Sequence, residues 1–250
     1  MTKHRRGIYL LPNLFTTGAL FAGFYSIVTS MNQQFELAAI AIFVAMVLDG
    51  MDGRIARMTN TASDFGMQYD SLSDMVSFGL APALIMYQWA LSDIGKLGWL
   101  SAFVYTASAA LRLARFNTQA TSIDKRFFQG LPSPAAAAVL AGMIWFGTDF
   151  GLNDGRTVVV FCLPITILVG ILMVSNIRYH SFKQIDLKGK VPFMAVLVIV
   201  AAFVLVAVEP SLVLCAITML YAISGPILTL FQLRKHRESR KMNDEDSGNT

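Results

Sequence analysis

Eight apolar stretches of 17 to 25 residues follow one another along this 250-residue chain, joined by short connections of turn-forming residues. A helix needs about 20 mostly apolar residues to cross the hydrocarbon core of a bilayer. The stretches therefore predict an all-α, polytopic integral membrane protein with about eight transmembrane helices. We place these helices near residues 14–31, 35–57, 66–90, 97–116, 132–148, 157–176, 192–208 and 211–232.

The chain has 20 Lys and Arg against 16 Asp and Glu, and the positions of the basic residues explain the excess. If the N-terminus is cytosolic, 18 of the 20 fall in cytosolic segments, and only Lys96 and Arg156 lie outside. Basic residues concentrate on the cytosolic side of membrane proteins, so both termini are expected there, in a cytoplasmic (inner) membrane. Because the membrane topology accounts for the excess of basic residues, we expect no nucleic-acid partner.

The same pattern divides the chain into two regions. Residues 1–233 form one transmembrane domain, which we expect to be catalytic because it holds the acidic cluster described next. Residues 234–250 mix charges with Ser, Gly and Asn and are expected to form a flexible cytosolic tail. Pro210 separates the last two apolar runs, which form either two helices or one long kinked helix.

Five carboxylates fall within 26 residues at the facing ends of the second and third helices, where ionisable groups are costly. Asp49 and Asp52 lie about 60° apart around one helix, and Asp70 and Asp74 lie about 40° apart around the next. Each helix therefore presents two carboxylates on one face. Ser63 is a candidate N-cap for the third helix, and the short connection lets the two acidic faces meet.

Four carboxylates in one small volume repel one another unless a cation neutralises them. All-oxygen ligands without His or Cys suit Mg²⁺, Mn²⁺ or Ca²⁺, and such cations commonly bridge a diphosphate. Two alternatives are that the aspartates are polar contacts between helices, or that they form a cation-transport site. A transport site favours acids near the bilayer midplane, whereas these lie beside Arg54 and Arg57 at a helix end.

These residues also carry a resemblance. Asp49-x-x-Asp52-Gly53-x-x-Ala56-Arg57, eight residues, then Gly66-x-x-x-Asp70-x-x-x-Asp74 matches all eight fixed positions of the CDP-alcohol phosphotransferase motif, so the chain resembles that family. The resemblance implies an all-helical membrane enzyme that transfers a phosphatidyl or phosphoalcohol group from a CDP-linked donor to an alcohol. It implies that Asp49, Asp52, Asp70 and Asp74 bind one or two divalent ions, Mg²⁺ or Mn²⁺ before Ca²⁺. It also makes Asp74 the proposed general base.

By position in the motif, several residues are expected to contact the nucleotide donor. They are Gly53, Arg57 and Ser63, together with Pro12, Asn13, Leu14 and Phe15 ahead of the first helix. Ala56 and Gly66 keep the helical surface small, so a bulky ligand can approach the backbone. For Asn13 a second interpretation stays open, since its side chain is also suited to cap the first helix.

Three further segments resemble the branch of the family that uses L-serine: residues 12–16, 111–117 and 128–134. That branch transfers the phosphatidyl group of CDP-diacylglycerol directly to the serine hydroxyl at the cytosolic membrane face, giving phosphatidylserine and CMP. Arg112, Arg115 and Asn117 would bind the acceptor or the lipid phosphate, although the arginines also suit plain topology anchors. Glycerol 3-phosphate and inositol phosphate remain alternative acceptors, a carboxylate nucleophile remains possible, and a cation transporter is the alternative class. Membrane lipids are further expected partners. By analogy with the family, a second copy of the chain is also expected, which would form a homodimer.

Overall fold

The computed structural model describes residues 10–59, 61, 63–119, 127–152, 155–180 and 193–247. These residues contain eight helical elements, in the order and near the positions predicted from the apolar stretches. They are α1 (Leu10–Met31), α2 (Phe35–Thr59), α3 (Asp64–Ile94), α4 (Lys96–Gln119), α5 (Ser133–Asp149), α6 (Gly155–Val174), α7 (Phe193–Val208) and α8 (Pro210–Ser247).

Five of the helices described are long and apolar enough to cross a membrane, namely α1, α3, α4, α6 and α8. The other three miss that description for different reasons. Every 18-residue stretch of α2 holds at least three charged residues, and α5 and α7 have only 17 and 16 residues. Large apolar side chains such as Phe21, Phe103 and Phe161 point outward, as expected where lipid surrounds a helix bundle. The integral membrane class is therefore confirmed.

Local sequence explains where several helices begin and end. Ser63 caps α3 as predicted, because its Oγ accepts a hydrogen bond from the Gly66 N–H at 3.1 Å. Gly95, with φ of 59°, separates α3 from α4 in a conformation that favours glycine. Pro210 begins α8, where its missing N–H costs nothing, so the last two runs are two helices and not one kinked helix.

Helix α3 is not a regular α-helix throughout. It contains π-helical segments at Met75–Leu80 and Tyr87–Leu91 and ends in a 3₁₀ turn at Ser92–Ile94. π-helical turns insert an extra residue and are often found beside functional sites. The first of them begins directly after Asp74.

Helix α5 lies at the centre of the bundle, where its alanine-rich sequence lets neighbouring helices approach closely. Its buried residues include Ala136, Ala137, Ala138, Leu140 and Ile144. A Cβ added at Gly142 would lie 3.0 Å from the Cα of Cys215 in α8, so a larger residue here would require the two helices to move apart slightly. Small residues at helix contacts are typical of membrane proteins.

A short antiparallel strand pair is the one feature of the described chain that an all-α prediction leaves out. β1 (Phe127–Gln129) pairs with β2 (Arg178–His180) and joins the connection after α4 to the segment after α6. The Tyr179 ring is fully buried, and its hydroxyl donates to the carbonyl of Ala222 at 2.9 Å. The strands thereby fasten this end of the bundle to α8.

Two of the helix ends that differ from the predicted positions change an expectation. Helix α1 begins by Leu10, so Asn13 lies inside its first turns and the capping role considered for it is wrong. Helix α8 does not end near residue 232 but continues to Ser247, because residues 233–247 contain helix-favouring Arg, Lys and Glu and no proline or glycine. The mobility and cytosolic placement of residues 234–250 stay predictions.

Candidate active site

Three carboxylates from two helices converge at one end of the bundle. Asp49 near the end of α2, and Asp70 and Asp74 in α3, each offer one oxygen, and these oxygens lie within 4.8 Å of one another. All three side chains are half-buried. The acidic faces of α2 and α3 therefore meet, as their spacing predicts.

Asp52 is placed differently from the other three. Its side chain is only 6% exposed, and its Oδ2 accepts a hydrogen bond from Thr16 Oγ1 of α1 at 2.7 Å. The structure thus brings together three of the four predicted metal ligands, and Asp52 is not in that group. Its role as a ligand stays a prediction.

The three convergent carboxylates are suited to a hard divalent cation. Asp49 and Asp74 are close enough for a hydrogen bond between their carboxyl groups, which requires a shared proton unless a cation replaces it. The Oδ1 of Asp74 is buried and has no hydrogen-bond partner among the described residues. Carboxylate oxygens are the ligands that Mg²⁺, Mn²⁺ and Ca²⁺ prefer. The cluster can therefore hold a divalent metal.

Arg112 of α4 reaches into the same site. Its Nη1 donates to Ser133 Oγ at the start of α5 at 2.9 Å, and its positive charge acts on Asp74. Its Nε is buried and finds no acceptor in the described part of the chain. A topology anchor would instead extend its guanidinium into water, so the anchor interpretation does not fit Arg112.

Arg115 and Asn117 make contacts that join helices. Arg115 Nη1 donates to the carbonyl of Val174, the last residue of α6, at 3.2 Å, which satisfies a helix-end carbonyl. Asn117 Nδ2 donates to Ser71 Oγ of α3 at 3.0 Å. Both residues have structural partners, and their role toward the acceptor stays a prediction.

Some of the predicted donor-binding residues share one small region. A Cβ built at Gly66 would lie 3.2 Å from Ser63 Oγ and 3.5 Å from Asn13 Oδ1, so these three positions are neighbours. A Cβ at Gly53 would lie 3.7 Å from Arg57 Nη1. Any larger side chain at Gly66 would fill the space between α1 and the start of α3.

The side chains of residues 12–15 do not all point in one direction. It is helical, so its side chains point around the axis: Pro12 is buried, whereas Leu14 is 66% exposed. Ala56 is half-buried, and Arg57 is exposed near the end of α2. The structure thus does not gather all predicted donor residues on one surface, and their roles stay predictions.

The sequence of residues 9–172 matches the CDP-alcohol phosphatidyltransferase family, and this stretch includes every aspartate of the cluster. The chain belongs to this family. It is also similar to proteins named CDP-diacylglycerol–serine O-phosphatidyltransferase. The one from Helicobacter pylori is 39% identical over 91% of this chain and 94% of its own length. Those from Mycobacterium leprae and Bacillus subtilis are 33% and 32% identical, over 88% and 70% of this chain and 75% and 92% of their own lengths.

Several polar residues of this CDP-alcohol phosphatidyltransferase site have no role in the motif. Thr16 bonds Asp52, Ser73 donates to the Thr16 carbonyl, and Ser133 bonds Arg112. Tyr221 in α8 interacts electrostatically with Arg112, although it lies more than 100 residues away along the chain. Thr16 and Ser133 stand within or beside quoted motif segments, whereas nothing in the local sequence around Tyr221 indicates its place.

Proposed function

We propose that this CDP-alcohol phosphatidyltransferase transfers the phosphatidyl group of CDP-diacylglycerol to the hydroxyl of L-serine, giving phosphatidylserine and CMP. The observation that carries the proposal is the convergence of Asp49, Asp70 and Asp74. The acceptor is supported by relatives that bear the serine name and align over most of this chain. Glycerol 3-phosphate and inositol phosphate are alternative acceptors within the same family.

The aspartates would hold the metal that the family uses, Mg²⁺ or Mn²⁺, with Asp52 as a fourth ligand beside the three that converge. When bound, the metal supplies positive charge that neutralises the diphosphate and the departing CMP. Gly53, Arg57, Ser63, Gly66 and the first turns of α1 would bind the nucleotide. Gly66 leaves the space between Ser63 and Asn13 open for it.

Asp74 would act as the general base. Its carboxylate has two oxygens, so that one can bind the metal while the other takes the serine hydroxyl proton; Oδ1 has no hydrogen bond to a described group and is open to either role. The serine oxygen forms a bond to the lipid-linked phosphorus, and the bond from that phosphorus to CMP breaks. CMP leaves with the electron pair of that bond, and because the serine oxygen attacks the phosphorus directly, the step needs no covalent enzyme intermediate.

Arg112 would bind the carboxylate of serine. Its Nε is a buried donor without a described acceptor, and Ser133 holds another nitrogen of the same guanidinium. A charge-assisted hydrogen bond to a carboxylate satisfies such a donor. An acceptor phosphate would satisfy it equally well, so Arg112 favours anionic acceptors without choosing among them.

We also propose that all eight helices cross the membrane, with both termini and the active site on the cytosolic side of the inner membrane. The central position of α5 supports this, because a helix surrounded by others needs few lipid-facing residues. The proposal includes residues 1–233 as the catalytic domain, residues 234–250 as a flexible tail, and a homodimer by family analogy. Labelling a single cysteine at position 94 tests the topology, since labelling from the cytosolic side alone would contradict it. Position 153, in the connection between α5 and α6, lies outside the described residues.

The reaction is tested by CMP release from CDP-diacylglycerol. Purified protein in detergent receives L-serine, glycerol 3-phosphate or inositol phosphate, each with Mg²⁺, with Mn²⁺ and with a chelator. We expect release that requires both L-serine and metal. CMP release with another acceptor in place of L-serine would mean that the protein uses that acceptor. Cation flux into vesicles without CMP release would favour the transporter.

A further inference from the structure

Thr16 contacts a site aspartate although it lies on α1, which contributes none of the four. Its hydroxyl donates to Asp52 Oδ2 at 2.7 Å, and the next acceptor, the Pro12 carbonyl of its own helix, is farther at 3.2 Å. Both side chains of the pair are buried, at 4% and 6% exposure. The hydrogen bond therefore fixes a carboxylate at a position that water scarcely reaches.

The main chain of Thr16 contacts the other acidic helix. Ser73, which precedes Asp74 in α3, donates its hydroxyl to the Thr16 carbonyl at 3.1 Å. Ser73 is itself buried. Thr16 is therefore bonded to α2 through its side chain and to α3 through its carbonyl, which sets the two acidic helices relative to each other.

The hydrogen bond of the Thr16 side chain is a strong one because its acceptor, the Asp52 carboxylate, carries a charge. Hydrogen bonds to ionised groups are stronger than neutral ones, and a buried carboxylate that loses a donor must rotate or go unsatisfied. The Gly53 N–H also bonds Asp52, but a backbone donor beside it cannot hold the outer end of the side chain alone. Removing the Thr16 hydroxyl should thus free Asp52 more than it disturbs α1.

We propose that Thr16 is a positioning residue: its hydroxyl fixes one oxygen of the Asp52 carboxylate beside the cluster of Asp49, Asp70 and Asp74, so that the other oxygen can complete the site when a divalent cation binds. This inference rests on the proposed role of Asp52 as a ligand. Groups that orient metal ligands typically contribute 10–100-fold to metal affinity. Thr16 does not touch the reacting atoms in this role.

The test compares metal binding in three variants of the full chain in detergent. Thr16→Val keeps the shape and removes the hydroxyl, and Thr16→Ser keeps the hydroxyl. Thr29→Val is the matched control, since Thr29 is an equally buried threonine of α1 whose hydroxyl bonds only the carbonyls of Tyr25 and Ser26. Free Mn²⁺ is measured by electron paramagnetic resonance, without substrates.

We expect Thr16→Val to weaken Mn²⁺ binding about 10–100-fold. Thr16→Ser and Thr29→Val should stay within about twofold of the wild-type protein, since a preserved hydroxyl or a distant threonine leaves Asp52 in place. Unchanged Mn²⁺ affinity in Thr16→Val would overturn the proposal. Equal losses in Thr16→Val and Thr29→Val would do the same, because they would mark a general packing defect.

Two additions keep the test decisive. If Thr16→Val does not fold, Thr16→Ala removes the hydroxyl without adding bulk and takes its place. In an Asp52→Asn background, Thr16→Val should have no further effect on Mn²⁺ affinity, and an additional loss would show that Thr16 acts elsewhere. The readout does not depend on serine, so the failure of the serine reaction and the failure of this inference are distinguishable.

Discussion

Helices α3 and α8 are both long and apolar enough to cross a membrane, but their surroundings differ. In α3, 56% of the most apolar stretch is buried inside the protein, against 11% in α8. Buried hydroxyls tie α3 to α1, as when Ser77 Oγ donates to the carbonyl of Ala19 at 3.0 Å. Leu220 and Phe231 of α8 are instead exposed on the outer surface.

The difference shows where this fold depends on exact positions. Hydrogen bonds require defined distances and angles, so a helix held by them fixes its side chains to within fractions of an ångström. Lipid contacts are nondirectional and tolerate many apolar side chains. The acids that need exact placement lie on α3 and its neighbour α2, and we expect substitutions to cost most there and least on the outer face of α8.

The largest effect is expected at Asp74. Asp74→Asn removes the proposed base, and loss of positioned proton transfer typically costs 10²–10⁴-fold in rate. CMP release should therefore collapse while CDP-diacylglycerol and Mn²⁺ still bind, because the other three aspartates remain and the amide oxygen of Asn can replace one carboxylate oxygen as a ligand. Asp49→Asn is the comparison, since it should lose metal-dependent donor binding. If both variants lose the metal alike, with no separate defect in chemistry, Asp74 serves only as a ligand and another group is the base.

Arg112 should come next. Arg112→Ala removes one charge-assisted contact, worth about 1.5–3 kcal/mol, which corresponds to about a 10–150-fold loss in serine kcat/KM. Because the proposed contact is to serine, the loss should fall mainly on the KM for serine. CMP release measured across serine concentrations checks this, and a variant that keeps its full rate at low serine would remove Arg112 from the acceptor site.

Arg115 provides the matched comparison for Arg112. Its guanidinium bonds the carbonyl at the end of α6, so Arg115→Ala should lower thermal stability, and its KM for serine should rise less than that of Arg112→Ala. Loss of such a bond costs about 0.5–3 kcal/mol. A serine KM that rises as much as in Arg112→Ala would give the two arginines equal parts in binding the acceptor and would contradict a mainly structural role for Arg115.

A smaller effect is expected where α1 packs on α3. A Cβ at Gly23 would lie 2.7 Å from the Cα of Ser77, so Gly23→Ala must push the two helices apart. Overpacking of this kind costs about 1–3 kcal/mol, measured as a lower unfolding temperature in detergent. Gly50→Ala is the control for stability, because a Cβ there meets nothing within 4 Å. Equal stability of both variants would contradict the close packing of α3.

The sequence predicts those parts of the structure that depend on local pattern. The apolar stretches place the helices because span length is a property of each segment alone, and Ser63 caps α3 because capping acts over three residues. The convergence of Asp49 with Asp70 and Asp74 could be predicted because a short connection joins the two helices that carry the acidic faces.

Contacts between segments that are distant along the chain could not be predicted from local sequence pattern. Thr16 and Asp52 are 36 residues apart on α1 and α2, and Arg115 and Val174 are 59 apart on α4 and α6, so each pairing depends on how separate helices pack. The strand pair between residues 127–129 and 178–180 joins two segments that are each only three residues long. Nothing in either segment alone specifies its partner.

The smallest effect is expected on the outer face of α8. Leu220 is 68% exposed, so Leu220→Ala opens no cavity, and lipid chains fill the space that the side chain leaves. Because lipid is as apolar as leucine, the change removes little burial energy. We therefore expect the free energy of unfolding in lipid nanodiscs to change by less than about 0.5 kcal/mol.

A loss of about 2 kcal/mol or more, as for a buried leucine, would mean that a partner covers this face in the membrane. A second copy of the chain would then be the first candidate, and loss of the dimer in Leu220→Ala, measured by mass photometry, would identify α8 as its interface.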